Sequence, residues 1–385
     1  MPWRKPLRWS FATALTLLLL GLLWPIRCYH YDPPLPFSGK TWYNPFDSDT
    51  LVWSRANFHI HSRTWSGLTE GQNTPPTIDS AYRSLGYAYY AISDYQQVNP
   101  ASPILLYEHG WGLRKFHQLV FAPRRVLWWD FPWPFTRDIY QSILAHLYPT
   151  APLIAIAHPF FHPYQTCPDE MFRYLGGYHA IEVLNRYGDS IREWDSALSA
   201  GHYASLLAND NVHDVHNPHQ ITTRWTEIAL PPQTSAEEVI QAILEGKTVG
   251  YKNIYAVPIA ARDYPLLGKV KVVEDTLFVV VSEKVDSLRV IGQGGRVRAV
   301  FPETDRLAYP ITEEDTYLRV EMYAPRVVAY TSPLCRGEGP TRRPLPRENP
   351  VLTWLWRAAL LMGAGGGWMY FALRHLRKSR SLHLR

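Results

Sequence analysis

Cysteine is scarce in this chain, and its scarcity excludes several kinds of site. The 385 residues contain three cysteines, Cys28, Cys167 and Cys335, and none stands in a CxxC or zinc-finger spacing. The sequence therefore supports no cysteine-based metal site. If the middle of the chain lies in an oxidising compartment, a disulfide between Cys167 and Cys335 becomes possible. The sequence also lacks an internal repeat and coiled-coil heptads, so it predicts neither a solenoid nor a coiled coil.

The middle of the chain lacks a net positive charge, although the whole chain carries +5. Residues 1–30 hold four basic residues and no acid, and residues 341–385 hold nine basic residues and one acid. The two tails thus carry +4 and +8, which leaves −7 for the middle. An acidic middle argues against a nucleic-acid-binding surface, so we expect no nucleic acid partner.

The longest uncharged run near the N-terminus covers residues 9–26 and follows Arg4, Lys5 and Arg8. A run of this length predicts a short membrane-spanning helix, and the preceding basic residues predict a cytoplasmic N-terminus. A cleaved signal peptide is the competing interpretation. No small-x-small cleavage site precedes Cys28, which favours an uncleaved anchor.

Residues 351–373 form a second apolar run, interrupted by Arg357 and followed by a basic tail at 374–385. An arginine near one end of a span can reach the interface, and the basic tail predicts that the C-terminus is cytoplasmic as well. Two spans with both ends inside would place residues 27–349 outside the cytoplasm. We therefore expect a membrane protein whose catalytic domain is extracytoplasmic.

The region between the two runs alternates between strand and helix patterns. Strands are predicted at 51–60, 87–92, 105–107, 117–121, 153–157, 180–184 and 204–208, and helices at 77–85, 137–147, 190–200 and 235–245. This alternation predicts a parallel sheet or barrel, with polar residues collected after the strand ends. Beyond about residue 256 the runs are short and β-type, which predicts a small antiparallel sandwich.

His59 and His61 form the pair around which the other candidates are arranged. Side chains two positions apart in a strand point the same way, so these imidazoles make half of a metal site. Further acids and histidines follow later strand-like runs. The full candidate set is His59, His61, Asp94, Glu108, His117, His158, Asp210 and His213. Imidazole and carboxylate ligands suit Zn, Mn or Fe, and a bridging carboxylate can join two such cations.

The order of these motifs resembles the polymerase and histidinol phosphatase (PHP) family of metal-dependent phosphoesterases. The matching pieces are His59-Ile60-His61, Ser93-Asp94-Tyr95, Tyr107-Glu108, Phe116-His117, His158-Pro159, Ile181-Glu182-Val183-Leu184-Asn185 and Asp210-Asn211-Val212-His213. The resemblance implies an α/β fold, a distorted (β/α)7 barrel over residues 51–255. A small antiparallel β-sandwich would follow it, with transmembrane helices at both ends.

The resemblance also implies a ligand set of two metal sites that share Glu108. The first would be held by His59, His61, Glu108 and Asp210. The second would be held by Glu108, His117 and His158. His213 would belong to the third site of trinuclear members. Tyr95 stands where the family usually has a histidine, so we expect two divalent ions (Zn, Mn or Fe). The register of Asp210 against Asn211 stays open.

The candidates for substrate binding and catalysis are Asp94, from the set above, and two arginines, Arg63 and Arg186. An arginine beside the histidine pair could bind a phosphate through two parallel hydrogen bonds. Glu182 is predicted to support the site from behind rather than to act in catalysis. The aromatic stretch at 124–135 is predicted to be a lid or a substrate wall, with local packing as the alternative.

The expected function is that of a membrane-anchored extracytoplasmic phosphoesterase, which hydrolyses a phosphate ester through a metal-activated water. Its partners would be a phosphorylated small-molecule or lipid-proximal substrate and, through two spans, the membrane. Two alternatives remain: a catalytically degenerate binding or scaffold module of the cell envelope, and a metallohydrolase of non-phosphate bonds. The predicted segments are an anchor (1–28), a linker (29–50), the barrel (51–255), the sandwich (256–338), a linker (339–350), a transmembrane helix (351–373) and the basic cytoplasmic tail (374–385).

Overall fold

The computed structural model describes the backbone of residues 4–255 and 259–382, and the side chains of 9–255 and 259–374. The helices are α1 (Arg4–Leu23), α2 (Pro75–Ser84), α3 (Arg137–Leu147), α4 (Ile191–Ser199), α5 (Ala236–Leu244) and α6 (Pro350–Leu382). The strands are β1 (Tyr29–His30), β2 (Trp42–Tyr43), β3 (Trp53–Asn57), β4 (Tyr89–Tyr90), β5 (Leu106–His109), β6 (Gln118–Phe121), β7 (Leu153–Ile156), β8 (Phe160–Phe161), β9 (Tyr164–Gln165), β10 (Ala180–Asn185), β11 (Gly188–Asp189), β12 (Ser205–Asn209), β13 (Arg224–Ala229), β14 (Thr248–Asn253), β15 (Leu267–Val273), β16 (Thr276–Gly292), β17 (Arg296–Pro310), β18 (Tyr317–Tyr323), β19 (Val327–Thr331), β20 (Leu334–Arg336) and β21 (Arg347–Glu348).

A local sequence signal accounts for the start of helix α5. It begins with a capping box, in which Ser235 Oγ accepts a hydrogen bond from the Glu238 backbone N–H. Glu238 Oε2 in turn accepts a bond from the Ser235 backbone N–H at 3.1 Å. This exchange satisfies two backbone donors that the first helical turn would otherwise leave unpaired.

A six-stranded sheet forms one side of the fold. Its strand order is β5-β6-β7-β10, with β12 and the short β11 both paired to β10. β10 is parallel to β7 and β12, whereas β6 is antiparallel to both of its neighbours, β5 and β7. The strands are buried on both faces, which explains why they appear in the sequence as short continuous apolar runs.

An eleven-stranded sheet forms the other side. Its order is β15-β16-β18-β19-β14-β13-β3-β4, with β17 beside β16, β20 beside β18, and β2 beside β20. Pairing is antiparallel apart from β3 with β4. The second sheet therefore begins next to the histidine pair, which directly follows β3, and extends to the C-terminal strands.

Two isolated bridges bring the sheets together. Ile60 pairs in parallel with Val212, and Tyr95 pairs in parallel with Glu108. The first bridge connects the segment after β3 to the segment after β12, and the second connects the segment after β4 to β5. The sheets consequently curl around the segment that carries the histidine pair.

The predicted distorted (β/α)7 barrel is wrong. The structure is a mixed α/β fold with a curled sheet, since β5, β6 and β7 are antiparallel and residues 110–117 form a loop where a barrel would need a helix. The predicted separate antiparallel β-sandwich is wrong as well, because β19 pairs with β14 and so continues the same sheet. The segment boundaries predicted from the sequence stay predictions.

The expectation of two membrane spans is also contradicted. Among the helices that the structure describes, none combines the length and the apolar character needed to cross a bilayer. Arg357 and four glycines (Gly363, Gly365, Gly366 and Gly367) dilute the apolar run of α6. Helices α1 and α6 contact each other, and the rings of Trp9 and Trp368 stack with their centroids 5.5 Å apart. The side chains of the predicted basic clusters, at residues 4–8 and 375–385, lie outside the described ones.

The three cysteines are free thiols, with Cys167 and Cys335 buried. Both contribute to one hydrophobic cluster between the six-stranded sheet, α3 and α4. Free cysteine behaves in such a core as a small apolar residue, so packing accounts for both positions.

Candidate metal centre

His59 and His61 lie in the extended segment that continues β3. The His61 backbone N–H donates to Val212 O at 2.9 Å, and the Val212 N–H donates to His59 O at 3.2 Å. This parallel pairing keeps the segment extended, so the two imidazoles point the same way, as the sequence predicts. Both side chains are fully buried.

Glu108, on β5, is the centre of the site. One of its carboxylate oxygens, Oε2, lies 3.4 Å from His59 Nε2 and 3.3 Å from His61 Nε2. The other oxygen, Oε1, lies 2.7 Å from His117 Nδ1 and 3.1 Å from His158 Nε2. One buried carboxylate is therefore shared by two pairs of histidines that come from three separate segments, one after β3, one before β6 and one after β7.

Several buried side-chain nitrogen and oxygen atoms in this cluster have no hydrogen-bond partner among the described residues. They include His59 Nε2, both ring nitrogens of His61, and Glu108 Oε2. Buried polar atoms are normally hydrogen-bonded, so such a group of unpartnered atoms is the arrangement of a ligand shell. The ligand atoms of His59, His61 and Glu108 lie within 4.8 Å of one another, as do those of Glu108, His117 and His158. The cluster could hold a metal ion.

Glu182 supports the cluster from behind. Its Oε1 accepts hydrogen bonds from His59 Nδ1 at 2.9 Å and from the Asn209 side-chain amide at 3.0 Å. Its Oε2 accepts the His158 backbone N–H at 2.9 Å. The bond to Nδ1 leaves His59 Nε2 facing Glu108, which is the way a carboxylate usually orients a histidine ligand.

The electrostatic balance of the cluster follows from its burial. Burial would raise the pKa of Glu108, but the neighbouring His117 and His59 lower it well below its usual value. Burial would lower the pKa of His59, but Glu182 and Glu108 raise it to about 10. Burial lowers the pKa of His61 well below its usual value, and His213 acts in the same direction. The carboxylates therefore stay charged in the interior and favour a cation between them.

The backbone at His158 is strained, with a φ of +30°. This conformation is rare for a residue with a Cβ atom, and it costs on the order of 1–3 kcal/mol. The strain places the His158 ring beside Glu108, directly after β7 and before Pro159. Strained residues held in place by their surroundings are frequent at functional sites.

Two of the predicted acidic residues do not join the cluster. Asp210 is buried, and its two oxygens accept hydrogen bonds from six donors: the backbone N–H groups of Thr222, Thr223 and Arg224 and the side chains of Thr223, Asn57 and Tyr82. Asp94 accepts three hydrogen bonds, two from Ser62 and one from Asn99. Both carboxylates thus accept hydrogen bonds that hold the loops around the site.

His213 lies at the rim of the cluster. Its ring stacks on His61 with centroids 4.4 Å apart, and its Nε2 lies 3.6 Å from Oε2 of the exposed Glu70. Burial and the nearby Arg186 lower the pKa of His213 to about 4. Tyr95 stacks on the opposite side of His61, also at 4.4 Å. The space that a further ligand would need beside His61 is therefore filled by an aromatic ring.

The two predicted arginines have different environments. Arg186 is half-buried and donates to Asn211 O at 2.9 Å, and one of its Nη atoms lies 3.2 Å from His213 Nδ1. Arg63 is exposed and does not line the cleft over the cluster. The structure therefore brings Arg186 to the rim of the site and leaves Arg63 outside.

A cleft of about 560 Å³ opens over the cluster. Its floor includes His117, His158 and His213, and its walls include Trp65, Trp128 and Tyr187. The sequence analysis missed Lys115 and Glu70, which also line this cleft. Neither residue follows a strand or belongs to a motif, so no signal in the sequence singled them out.

No family model, curated protein or solved structure matches this chain. The resemblance to the PHP family consequently depends on the motifs alone.

Proposed function

We propose that this chain is a metal-dependent phosphoesterase whose centre is Glu108 with the four histidines around it. The observation that supports the proposal is the division of the Glu108 carboxylate, with one oxygen beside His59 and His61 and the other beside His117 and His158. A carboxylate that faces two imidazole pairs is suited to bridge two cations.

The residues present fit two divalent ions of the Zn, Mn or Fe type. Each half of the cluster offers two imidazole nitrogens and one carboxylate oxygen, which leaves coordination positions for solvent or substrate. Ions bound there would lower the pKa of water and offset the negative charge of a phosphate. Tyr95 packs where the third site of the PHP pattern would need a ligand, and this favours two ions over three.

The chain itself contributes orientation and charge. Glu182 fixes the ring of His59, and Asp210 holds the segment after β12 against α2 and β13. Lys115 lines the cleft and Arg186 contacts its rim at His213. Lys115 would supply positive charge to a phosphate ester in the cleft, and Arg186 would supply it through the rim at His213.

The test is elemental analysis of the purified full-length chain beside two variants. The chain is expected to hold about two divalent ions, and the double substitution His59→Ala/Glu108→Ala is expected to remove them. His219→Ala is the matched control, because His219 is exposed and outside the cluster. Absence of bound metal after incubation with Mn or Zn would overturn the proposal.

A substrate panel separates the remaining functions. Phosphomonoesters, phosphodiesters and carboxylic esters are offered to the metal-loaded chain, and hydrolysis of a phosphate ester is expected. Hydrolysis of carboxylic esters alone would instead indicate a metallohydrolase of non-phosphate bonds. A chain that binds metal and hydrolyses nothing on the panel would indicate a binding module.

A further inference from the structure

One wall of the cleft over the metal centre is built from exposed tryptophans. Trp65, Trp111 and Trp128 all line the cleft, and they remain 41%, 48% and 60% exposed. They come from three separate segments, the turn after His61, the loop after β5 and the 124–135 loop. Large aromatic side chains are normally buried in a folded protein. Three exposed tryptophans beside one cleft therefore indicate a binding surface.

The polar edges of these indoles are tied to the backbone. Trp65 Nε1 donates to Tyr95 O at 2.8 Å, and Trp111 Nε1 donates to Trp128 O at 3.2 Å. The Trp65 and Trp128 rings meet edge to face, with centroids 6.0 Å apart and planes at 80°. Hydrogen bonds at their edges therefore hold Trp65 and Trp111 in place, and all three indoles remain partly exposed in the cleft.

The backbone supports this arrangement at a cost. Trp65 and Ser66 have φ values of +51° and +55° in the left-handed region, which a bulky residue adopts rarely. Because Trp65 stays 41% exposed, burial of its ring does little to offset the strain in this turn. The strain instead places the indole over the entrance to the cluster.

The rest of the cleft lining has a different chemistry. His117, His158 and His213 form the floor, and Lys115 lies with its Nζ 4.2 Å from the centre of the Phe161 ring. A ligand in the cleft would thus meet Lys115 and the proposed metal ions as well as the flat apolar surfaces of the indoles. A phosphate attached to a planar ring suits both.

We infer that the substrate is a phosphate ester of a planar aromatic group, a nucleotide or an aryl phosphate, whose ring stacks on an exposed indole of the tryptophan cluster formed by Trp65, Trp111 and Trp128. This inference rests on the proposed function, since the metal centre has to receive the phosphate. A ring stacked on indole gains affinity that a sugar or alkyl phosphate lacks.

Calorimetric titration of the metal-loaded full-length chain tests the inference with adenosine monophosphate and ribose 5-phosphate. The two ligands both carry a ribose 5-phosphate group and differ in the base. Stacking of one base predicts a Kd for adenosine monophosphate about 5- to 150-fold lower. Trp128→Ala and Trp65→Ala are each expected to raise that Kd at least about 5-fold and to leave the Kd of ribose 5-phosphate unchanged, which also shows that the variants fold.

Trp133→Ala is the matched control, because Trp133 is similarly exposed but lines a neighbouring pocket instead. Equal Kd values for the two ligands, or tryptophan variants that weaken both ligands equally, would overturn the inference and leave the proposed function standing. Failure of both ligands and of inorganic phosphate to bind would overturn the proposed function and the inference together.

Discussion

Glu182 Oε1 lies 2.9 Å from His59 Nδ1, and this contact decides which nitrogen of His59 faces the metal centre. Glu182→Gln should therefore reduce metal affinity about 10- to 100-fold without removing a ligand, because the amide no longer fixes the ring orientation as firmly. Competition with a chromogenic chelator measures this affinity. Glu193→Gln is the control, as Glu193 is a buried acid on α4 away from the cluster, and equal affinities for both variants would contradict the role of Glu182.

Removal of the side-chain charge should affect stability at Asp210 and metal content at Glu108. Asp210→Asn is expected to destabilise the fold by roughly 3 kcal/mol, because buried donors lose their acceptor, and to leave the metal content of the folded fraction unchanged. Glu108→Gln is expected to lower the metal content while the chain stays folded. Chemical denaturation and elemental analysis of both variants check this pair. Loss of one ion from folded Asp210→Asn would show that Asp210 is a ligand.

We expect Glu227 to make the free energy of unfolding depend on pH. Burial raises the pKa of Glu227 to about 7, although the Tyr264 hydroxyl and Arg55 act against this. Its folded pKa thus lies above its unfolded value near 4.5, so its stabilising effect is complete below pH 4.5 and is lost as the pH rises through 7. The loss is roughly 3 kcal/mol. Denaturation between pH 5 and 8 should show a steeper decline for the wild type than for Glu227→Gln, and parallel curves would contradict it.

Arg319 should be among the most sensitive positions outside the site. It is buried and donates to Asp195 Oδ2 at 2.8 Å and to Glu321 Oε1 at 2.6 Å, which ties α4 to β18. Arg319→Met leaves two buried carboxylates without their counter-charge, and we expect a loss of about 3–5 kcal/mol. Arg306→Met is the control, since Arg306 pairs with Asp305 at the surface and its loss should leave the denaturation midpoint unchanged.

The local elements could be predicted from the sequence. The helix predicted at 137–147 coincides with α3, and the helix predicted at 235–245 covers α5, which begins with a capping box at Ser235. These signals depend on periodicity and on side chains within one turn, so they need no knowledge of the rest of the chain. The four histidines around Glu108 were found for a similar reason, as each directly follows or precedes a strand.

The arrangement of the strands could not be predicted in the same way. β13 and β14 were missed, although they join the histidine segment to the C-terminal strands. Strand direction depends on contacts between distant residues, and the sequence offers no local mark of it. The hydrogen-bond partners of Asp210 could not be predicted for a related reason, because its six donors come from segments that only the fold brings together.

The ligands of the candidate centre come from both sheets. His59 and His61 continue β3 of the eleven-stranded sheet, whereas Glu108, His117 and His158 belong to or adjoin strands of the six-stranded one. Bound cations would thus link the two sheets, and the binding of each ion would add to the free energy of unfolding of the chain. Folding and metal loading would then be coupled, and a chelator would weaken the whole chain rather than the site alone.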